Sequence, residues 1–209
     1  MSDELTQGIE WLGHASFRVT DSLVIYIDPW QLEAGTPADV ILVTHGHSDH
    51  LSLEDIDKIS TPDTAFVCAA SCAQELRGPV HAVEPGDTVE IGALRVEVLP
   101  AYNTDKPNHP QEAGHVGYVL EINGRRIYHA GDTDVIPEMD EIRCDVALLP
   151  IGGTYTMDAA QAAEALHRIG PRVAIPMHWG RIVGLERDVE RFRELAPETV
   201  DVVVLEQTT

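Results

Sequence analysis

The stretch Thr44-His45-Gly46-His47-Ser48-Asp49-His50 decides the fold, and it directly follows the apolar run Val40-Ile41-Leu42-Val43. It packs three imidazoles and one carboxylate into six positions, and these groups suit Zn²⁺, Mn²⁺ or Fe²⁺. His45 and His47 are two residues apart, so in an extended chain their side chains point the same way. Asp49 and His50 are adjacent and diverge, so both cannot easily join that first pair on one ion. The pattern predicts two metal ions side by side.

Length and composition predict a single domain over residues 1–209. The chain has 44% hydrophobic residues, which is enough for a substantial core. No apolar stretch approaches the roughly 20 residues that are needed to cross a bilayer. The beginning of the chain, Met1-Ser2-Asp3-Glu4, is acidic and does not look like a secretory signal. We therefore expect a cytoplasmic protein.

The charge balance excludes several classes of partner. The formal net charge is −21, from 35 acidic and 14 basic residues, and such a field repels nucleic acid. We expect a small-molecule substrate, with neither nucleic acid nor a membrane as partner. A homo-oligomer is compatible with the sequence, although no apolar helix face demonstrates one.

The order of the predicted elements is strands followed by helices, twice. The first half contains short strands, the apolar run before His45 and a helix that begins after Ser52. The second half has strands around an Asn123-Gly124 turn, which is a strong hairpin signal. Short helices are predicted over 69–76, 158–169 and 186–195, with a last strand over 200–205. Two mixed sheets packed face to face, with helices outside, satisfy this order.

Two further segments carry potential metal ligands at strand ends. Asp132 follows the strand before Ala130-Gly131, and His178 follows the strand Val173-Ala174-Ile175-Pro176. The loops of such a fold converge at the carboxyl ends of its strands. Cys68 and Cys72 could form a metal-binding pair, but no second pair accompanies them, so they are more simply explained as buried thiols.

These motifs together resemble the metallo-β-lactamase superfamily. The resemblance rests on His45-x-His47-x-Asp49-His50, Gly131-Asp132-Thr133 and His178, in that order. The segments 11–17, 27–29, 127–133, 149–157 and 175–178 resemble a branch of small prokaryotic metal-dependent hydrolases that is similar to L-ascorbate-6-phosphate lactonase. The resemblance implies an α/β (α+β) architecture, namely the four-layer αββα sandwich of the metallo-β-lactamase fold.

The resemblance also implies a set of ligands. His45 and His47 correspond to ligands of the first metal, and Asp49, His50 and His178 to ligands of the second. Asp132 corresponds to the carboxylate that bridges both. The cofactors would be two divalent ions, with Zn²⁺ first and Mn²⁺ or Fe²⁺ as alternatives.

The chain departs from the family at the third histidine of the first metal. In this branch a histidine follows Pro-Ala-aromatic, whereas here Pro100-Ala101-Tyr102 is followed by Asn103. His109 is the nearest substitute and His115 a weaker one. The alternative is that Asn103 itself, or water, fills the position.

Other residues are candidates for contacts to the substrate or to the ligands. His129 precedes the Asp132 turn and is expected in the core or behind a ligand. His14 lies in a turn that could line the pocket. Tyr155 follows Gly152-Gly153 and could contact substrate or simply pack.

The predicted activity is that of a metal-dependent hydrolase. A metal-bound hydroxide would cleave a small ester, lactone or phosphoester, and Asp49 would orient the nucleophile and handle its proton. The rival prediction is a non-catalytic metal-binding or sensor module of the same fold.

The acidic, lysine-poor composition suggests a halophilic source, with a GC-rich genome as the alternative. Only Lys58 and Lys106 are lysines. If the protein is salt-adapted, its melting temperature should rise from low to molar salt, because screening relieves the repulsion among its acidic groups. A melting curve that does not change over this range would contradict salt adaptation.

Overall fold

Two mixed β-sheets dominate the protein, whose structure is a computed structural model that describes residues 2–208. The α-helices of this part of the chain are α1 (Ser2–Thr6), α2 (Leu53–Ile59), α3 (Ala159–Ile169) and α4 (Glu186–Leu195). The strands of the first half are β1 (Ile9–Gly13), β2 (Ser16–Thr20), β3 (Val24–Ile27), β4 (Val40–Val43), β5 (Ala65–Ala69) and β6 (Val80–Val83). Those of the second half are β7 (Thr88–Ile91), β8 (Leu94–Pro100), β9 (Val116–Ile122), β10 (Arg125–His129), β11 (Val146–Pro150), β12 (Val173–Met177) and β13 (Asp201–Val202).

The two sheets repeat one topology. The first has six strands in the order β1 to β6, and the second has seven in the order β13 to β7. In the first sheet β1 to β3 are antiparallel neighbours and β3 to β6 are parallel. In the second, β7 to β10 are antiparallel and β10 to β13 are parallel. This arrangement confirms the predicted pair of mixed sheets.

Local sequence explains the central strands and the hairpin. All residues of β4, β5, β11 and β12 are buried, as expected for parallel strands that are covered on both faces. Asn123 and Gly124 have φ values of 49° and 78°, as a type I′ turn requires, and they join β9 to β10 as predicted.

Side-chain caps start two of the helices. Ser52 accepts a hydrogen bond from the Asp55 backbone N–H at the start of α2. Asp158 and Gln161 form a capping box at the start of α3, and α4 has the predicted bounds.

Two predicted elements are shorter than expected. The helix predicted over 69–76 is only a 3₁₀ turn, Ala70–Cys72. The backbone N–H groups of Ala73 and Glu75 donate to Ala70 O and Cys72 O, three residues earlier, so the segment keeps 3₁₀ bonding and does not continue as an α-helix. The last strand covers Asp201–Val202 instead of 200–205. Val203 still donates to Ala174 O at 2.9 Å, but the next ladder bond would need an N–H from Pro176, which has none.

A buried hydroxyl joins the two sheets. Tyr118 on β9 donates to the carbonyl oxygen of Val43 at 2.6 Å, and Val43 ends β4 in the other sheet. Val43 is the last strand residue before the His45 turn, so this bond connects the turn to the second sheet.

Tyr118→Phe should lower the free energy of unfolding by about 1 kcal/mol, because it removes a buried hydrogen bond. Urea unfolding measures the change. Tyr128→Phe is the matched control, since the Tyr128 side chain is also fully buried but its hydroxyl has no hydrogen-bond partner within residues 2–208. Equal losses in the two variants would contradict the sheet-joining role of Tyr118.

Candidate metal centre

The potential ligands meet at one edge of both sheets. The His45 turn follows β4, Asp132 follows β10, and His178 follows β12. His14 follows β1, which runs parallel to β3 and β4 because two antiparallel pairings separate β1 from β3. The loop over 101–115 joins β8 to β9 at the same edge. The convergence expected from strand ends is therefore present.

Three overlapping groups of ligand atoms form this centre, and within each group the atoms lie within 4.8 Å of one another. The groups are His14, Asp49, His50 and His178; His45, His109 and His115; and His45, His50 and Asp132. His47 adjoins the second group, because its Nδ1 lies 3.1 Å from Nε2 of His45.

The carboxylate of Asp132 lies in the middle of this arrangement. One of its oxygens is 3.4 Å from Nε2 of His50. The other is 3.1 Å from Nε2 of His178 and 3.3 Å from Nε2 of His109. Asp132 is 3% exposed, so these histidines provide its immediate polar surroundings.

The loop over 101–115 brings both His109 and His115 to the centre. His109 is buried, and its Nδ1 lies 3.1 Å from Nδ1 of His115. The His115 ring stacks on that of His45 with a centroid distance of 4.7 Å. His109 and His115, the two candidates for the third ligand of the first metal, therefore lie side by side. Of the two, His109 is the one whose ring nitrogen faces Asp132.

The remaining candidates take different positions. His14 lies at the centre, with Nε2 3.0 Å from Oδ2 of Asp49 and its ring 3.8 Å from that of His178. His129 lies behind the Asp132 turn, where its Nε2 contacts Ala15 O at 2.8 Å and its Nδ1 accepts from the Gly131 N–H.

Asn103 and Tyr155 contact one another next to the centre. The Asn103 amide donates to the backbone carbonyl of Tyr155 at 2.9 Å. Asn103 is buried, and its side-chain oxygen accepts from the backbone N–H of His109 at 3.0 Å.

Asp28 supports the centre, although sequence reasoning did not select it as a site residue. Its carboxylate accepts from the backbone N–H and the hydroxyl of Thr44 and contacts Nδ1 of His50 at 2.7 Å. This contact fixes the His50 ring with Nε2 towards Asp132. The signal in the sequence was Ile27-Asp28-Pro29, a carboxylate at the end of a buried strand.

Three of the non-glycine residues with positive φ lie at this centre. His14, Asp28 and His178 have φ values of 53°, 46° and 59°. Each such residue costs on the order of 1–3 kcal/mol, so the surrounding structure must hold it in place. The His178 N–H donates to His14 O at 2.8 Å, which fastens two of them together.

Burial and neighbouring charge shift the pKa values of the cluster. Burial lowers the pKa of His45 well below its usual value and that of His109 to about 4, so both are neutral at pH 7. Burial alone would raise the pKa of Asp132, but His178 and His50 outweigh it and hold that pKa well below its usual range. For His50, burial is outweighed by Asp132 and Asp28, which raise its pKa.

The donor set fits divalent metal ions. Nε2 of His50, Nε2 of His178 and one oxygen of Asp132 are buried without a hydrogen-bond partner among residues 2–208. Buried polar atoms are almost always paired, and imidazole and carboxylate atoms clustered in this way are typical zinc ligands. Neutral His45 and His109 and an ionised Asp132 are already in the protonation states that bind metal, whereas His50 would release its proton.

The cysteines lie outside the centre. Cys68 and Cys72 are free, buried thiols, and burial raises the pKa of Cys68 to about 12. A thiol in that state is a poor metal ligand.

His109→Ala should weaken metal binding by more than the roughly 10–100-fold typical of an outer contact, because it removes a ligand. Bound Zn²⁺ per chain and its dissociation constant measure the effect, with His81→Ala, an exposed histidine of β6, as control. Unchanged stoichiometry and affinity would contradict a ligand role for His109. A larger loss in His115→Ala would assign that role to His115.

Known proteins are similar to this chain in sequence and in fold. A family model described as a beta-lactamase superfamily domain matches residues 8–178. A UPF0173 metal-dependent hydrolase of Thermoplasma acidophilum is 39% identical over 204 residues, which cover 90% of each chain. A relative of the same name from Archaeoglobus fulgidus is 36% identical over 222 residues, covering 94% of this chain and 95% of the relative.

Solved structures of proteins named as hydrolases also have a similar fold. A Parabacteroides distasonis protein that bears the name metal-dependent hydrolase is 33% identical, with a TM-score of 0.85 over 96% of this chain and 93% of that one. A metallo hydrolase of Ignicoccus hospitalis is 26% identical, with a TM-score of 0.78 over 96% and 95% of the two chains. The chain therefore belongs to the metallo-β-lactamase superfamily and, within it, to the UPF0173 family of metal-dependent hydrolases.

Proposed function

We propose that this protein hydrolyses a small ester, lactone or phosphoester with the help of two divalent metal ions. The observation that carries the proposal is the buried Asp132 carboxylate, with imidazole nitrogens from three separate segments 3.1–3.4 Å from its oxygens. Its relatives named as metal-dependent hydrolases support the same class of activity.

The ligands divide between two ions in this proposal. His45, His47 and His109 would hold the first ion, Asp49, His50 and His178 would hold the second, and Asp132 would contribute to both. His115 is the alternative to His109. We propose Zn²⁺, with Mn²⁺ or Fe²⁺ as alternatives, because imidazole and carboxylate sites accept all three. Bound there, such ions would act as Lewis acids and lower the pKa of water to near neutrality.

Asp49 is the proposed catalytic residue. Burial alone would raise its pKa, but the contact with His14 lowers that pKa to about 2, so the carboxylate is ionised at pH 7. A carboxylate with so low a pKa is a weak base, and it is protonated only to a very small extent at neutral pH. We therefore assign Asp49 the task of orienting the attacking water, while His14 holds its carboxylate in place.

A cavity beside the centre is a suitable place for the substrate. It measures about 490 Å³, and His115 and Tyr102 line it together with Glu84, Glu112 and Glu138. Its size suits a small molecule. No lysine or arginine lines it, which favours an uncharged ester or lactone over a phosphoester.

A larger cavity, of about 600 Å³, lies at the opposite edge of the second sheet, around the Asn123-Gly124 turn. It contains no histidine, so we do not assign the reaction to it.

The expected partners and location remain part of the proposal. A net charge of −21 supports a small-molecule substrate and opposes nucleic acid. Within residues 2–208 no helix has the length and apolar character to cross a membrane. We propose a cytoplasmic protein that does not use a membrane as partner, and homo-oligomerisation is compatible with it.

The test is hydrolysis by protein reconstituted with Zn²⁺ or Mn²⁺, over a panel of carboxylic esters, lactones and phosphodiesters. We expect activity on an ester or lactone, and Asp49→Ala should lower kcat/KM by at least ~10²-fold. Asp57→Ala, which removes an exposed carboxylate on α2, is the charge-matched control. No activity on the panel, or equal activity in Asp49→Ala, would favour a non-catalytic metal-binding module instead.

A further inference from the structure

Asn103 and His109 are joined to one another by two reciprocal hydrogen bonds. The backbone N–H of Asn103 donates to the carbonyl of His109 at 2.7 Å. The backbone N–H of His109 donates in return to the side-chain oxygen of Asn103 at 3.0 Å. These two bonds hold together the ends of a short loop, residues 104–108.

A third hydrogen bond anchors this pair to the neighbouring loop. The Asn103 side-chain amide donates to the carbonyl of Tyr155 at 2.9 Å. That loop is itself fixed next to Asp132, because the Met157 N–H donates to Thr133 O at 3.0 Å. The partners also define the orientation of the amide, since its oxygen must face an N–H and its nitrogen a carbonyl.

Few other contacts can hold the backbone of His109 in place. Most residues of the 104–108 loop are exposed and do not pack on the core, namely Thr104, Asp105, Pro107 and Asn108. Thr104 and Lys106 both contact the Asp134 carboxylate, but these contacts hold the first part of the loop and not the end at His109. At the other end, both hydrogen bonds of the His109 backbone within residues 2–208 go to Asn103, which is only 8% exposed, while the His109 ring packs against other histidines of the centre.

We propose that Asn103 is a positioning residue that holds His109 with its Nε2 towards Asp132, and that it affects metal binding only through His109. The Asn103 oxygen accepts from the His109 N–H and its amide nitrogen donates to Tyr155 O, so both ends of the side chain are used to hold the loops. Asn103, which stands where the resemblance implies a histidine, thus positions His109, a histidine six residues later. The inference rests on the proposed metal role of His109.

A double-mutant cycle on the full-length protein tests this dependence. Zn²⁺ affinity is measured for the wild type, Asn103→Ala, His109→Ala and the double variant. Asn103→Ala should weaken binding by roughly 10–100-fold, as the loss of an outer support does. The double variant should bind no more weakly than His109→Ala, because Asn103 has nothing left to position.

Two further variants separate positioning from general destabilisation. Asn103→Asp keeps the acceptor for the His109 N–H but loses the donor to Tyr155 O, so it should bind Zn²⁺ more weakly than the wild type and more tightly than Asn103→Ala. It carries the test if Asn103→Ala does not fold. Asn108→Ala removes an exposed asparagine from the same loop and should bind like the wild type. Circular dichroism of each variant in the presence of a chelator checks the fold.

The outcomes distinguish this inference from the assignment on which it rests. Weaker binding in His109→Ala, with wild-type binding in Asn103→Ala, would overturn the inference alone. Losses that multiply in the double variant would also overturn it, because Asn103 would then act independently of His109. Unchanged binding in His109→Ala would contradict the metal role of His109 and overturn the inference with it.

Discussion

The buried carboxylate of Asp132 is the interaction on which the rest of this centre depends. A lone buried charge would be costly, and its oxygens instead face imidazole nitrogens of His50, His109 and His178 at 3.1–3.4 Å. These histidines follow different strands or lie in a loop, so each must be delivered from a separate part of the chain. The two sheets achieve this by ending their parallel strands at one edge.

Further groups keep the delivered side chains in place. Asp28 orients His50, His129 supports the turn before Asp132, and Asn103 closes the loop that carries His109. The residues with positive φ, His14, Asp28 and His178, lie at the same centre as these supports. Strain of this kind persists only in surroundings that over-determine the conformation. The arrangement of the side chains at the centre therefore depends on these supporting contacts as much as on the potential ligands themselves.

Sequence reasoning located the strands and the ligand-bearing turns because their signals are local. The apolar runs before His45 and His178, the Asn123-Gly124 turn and the helix start after Ser52 are all read from a few neighbouring residues. The loop over 101–115 has no periodicity, so the sequence ranked His109 above His115 only by its distance along the chain and could not show that both reach the centre. Asp28 acts through contacts with residues 16 and 22 positions away, and no local pattern indicates such partners. The shortened last strand depends on Pro176 in a neighbouring strand, which is likewise a tertiary effect.

The division of the ligands between the two sheets has a consequence for the lifetime of the folded chain. His45, Asp49 and His50 extend from the first sheet, whereas His109, Asp132 and His178 extend from the second. Ions held by both sets would clamp the sheets together, and binding only to the folded state adds stability that grows with the logarithm of free metal concentration. Metal supply in the cell would then control how long the protein survives proteolysis, in addition to how fast it turns over substrate.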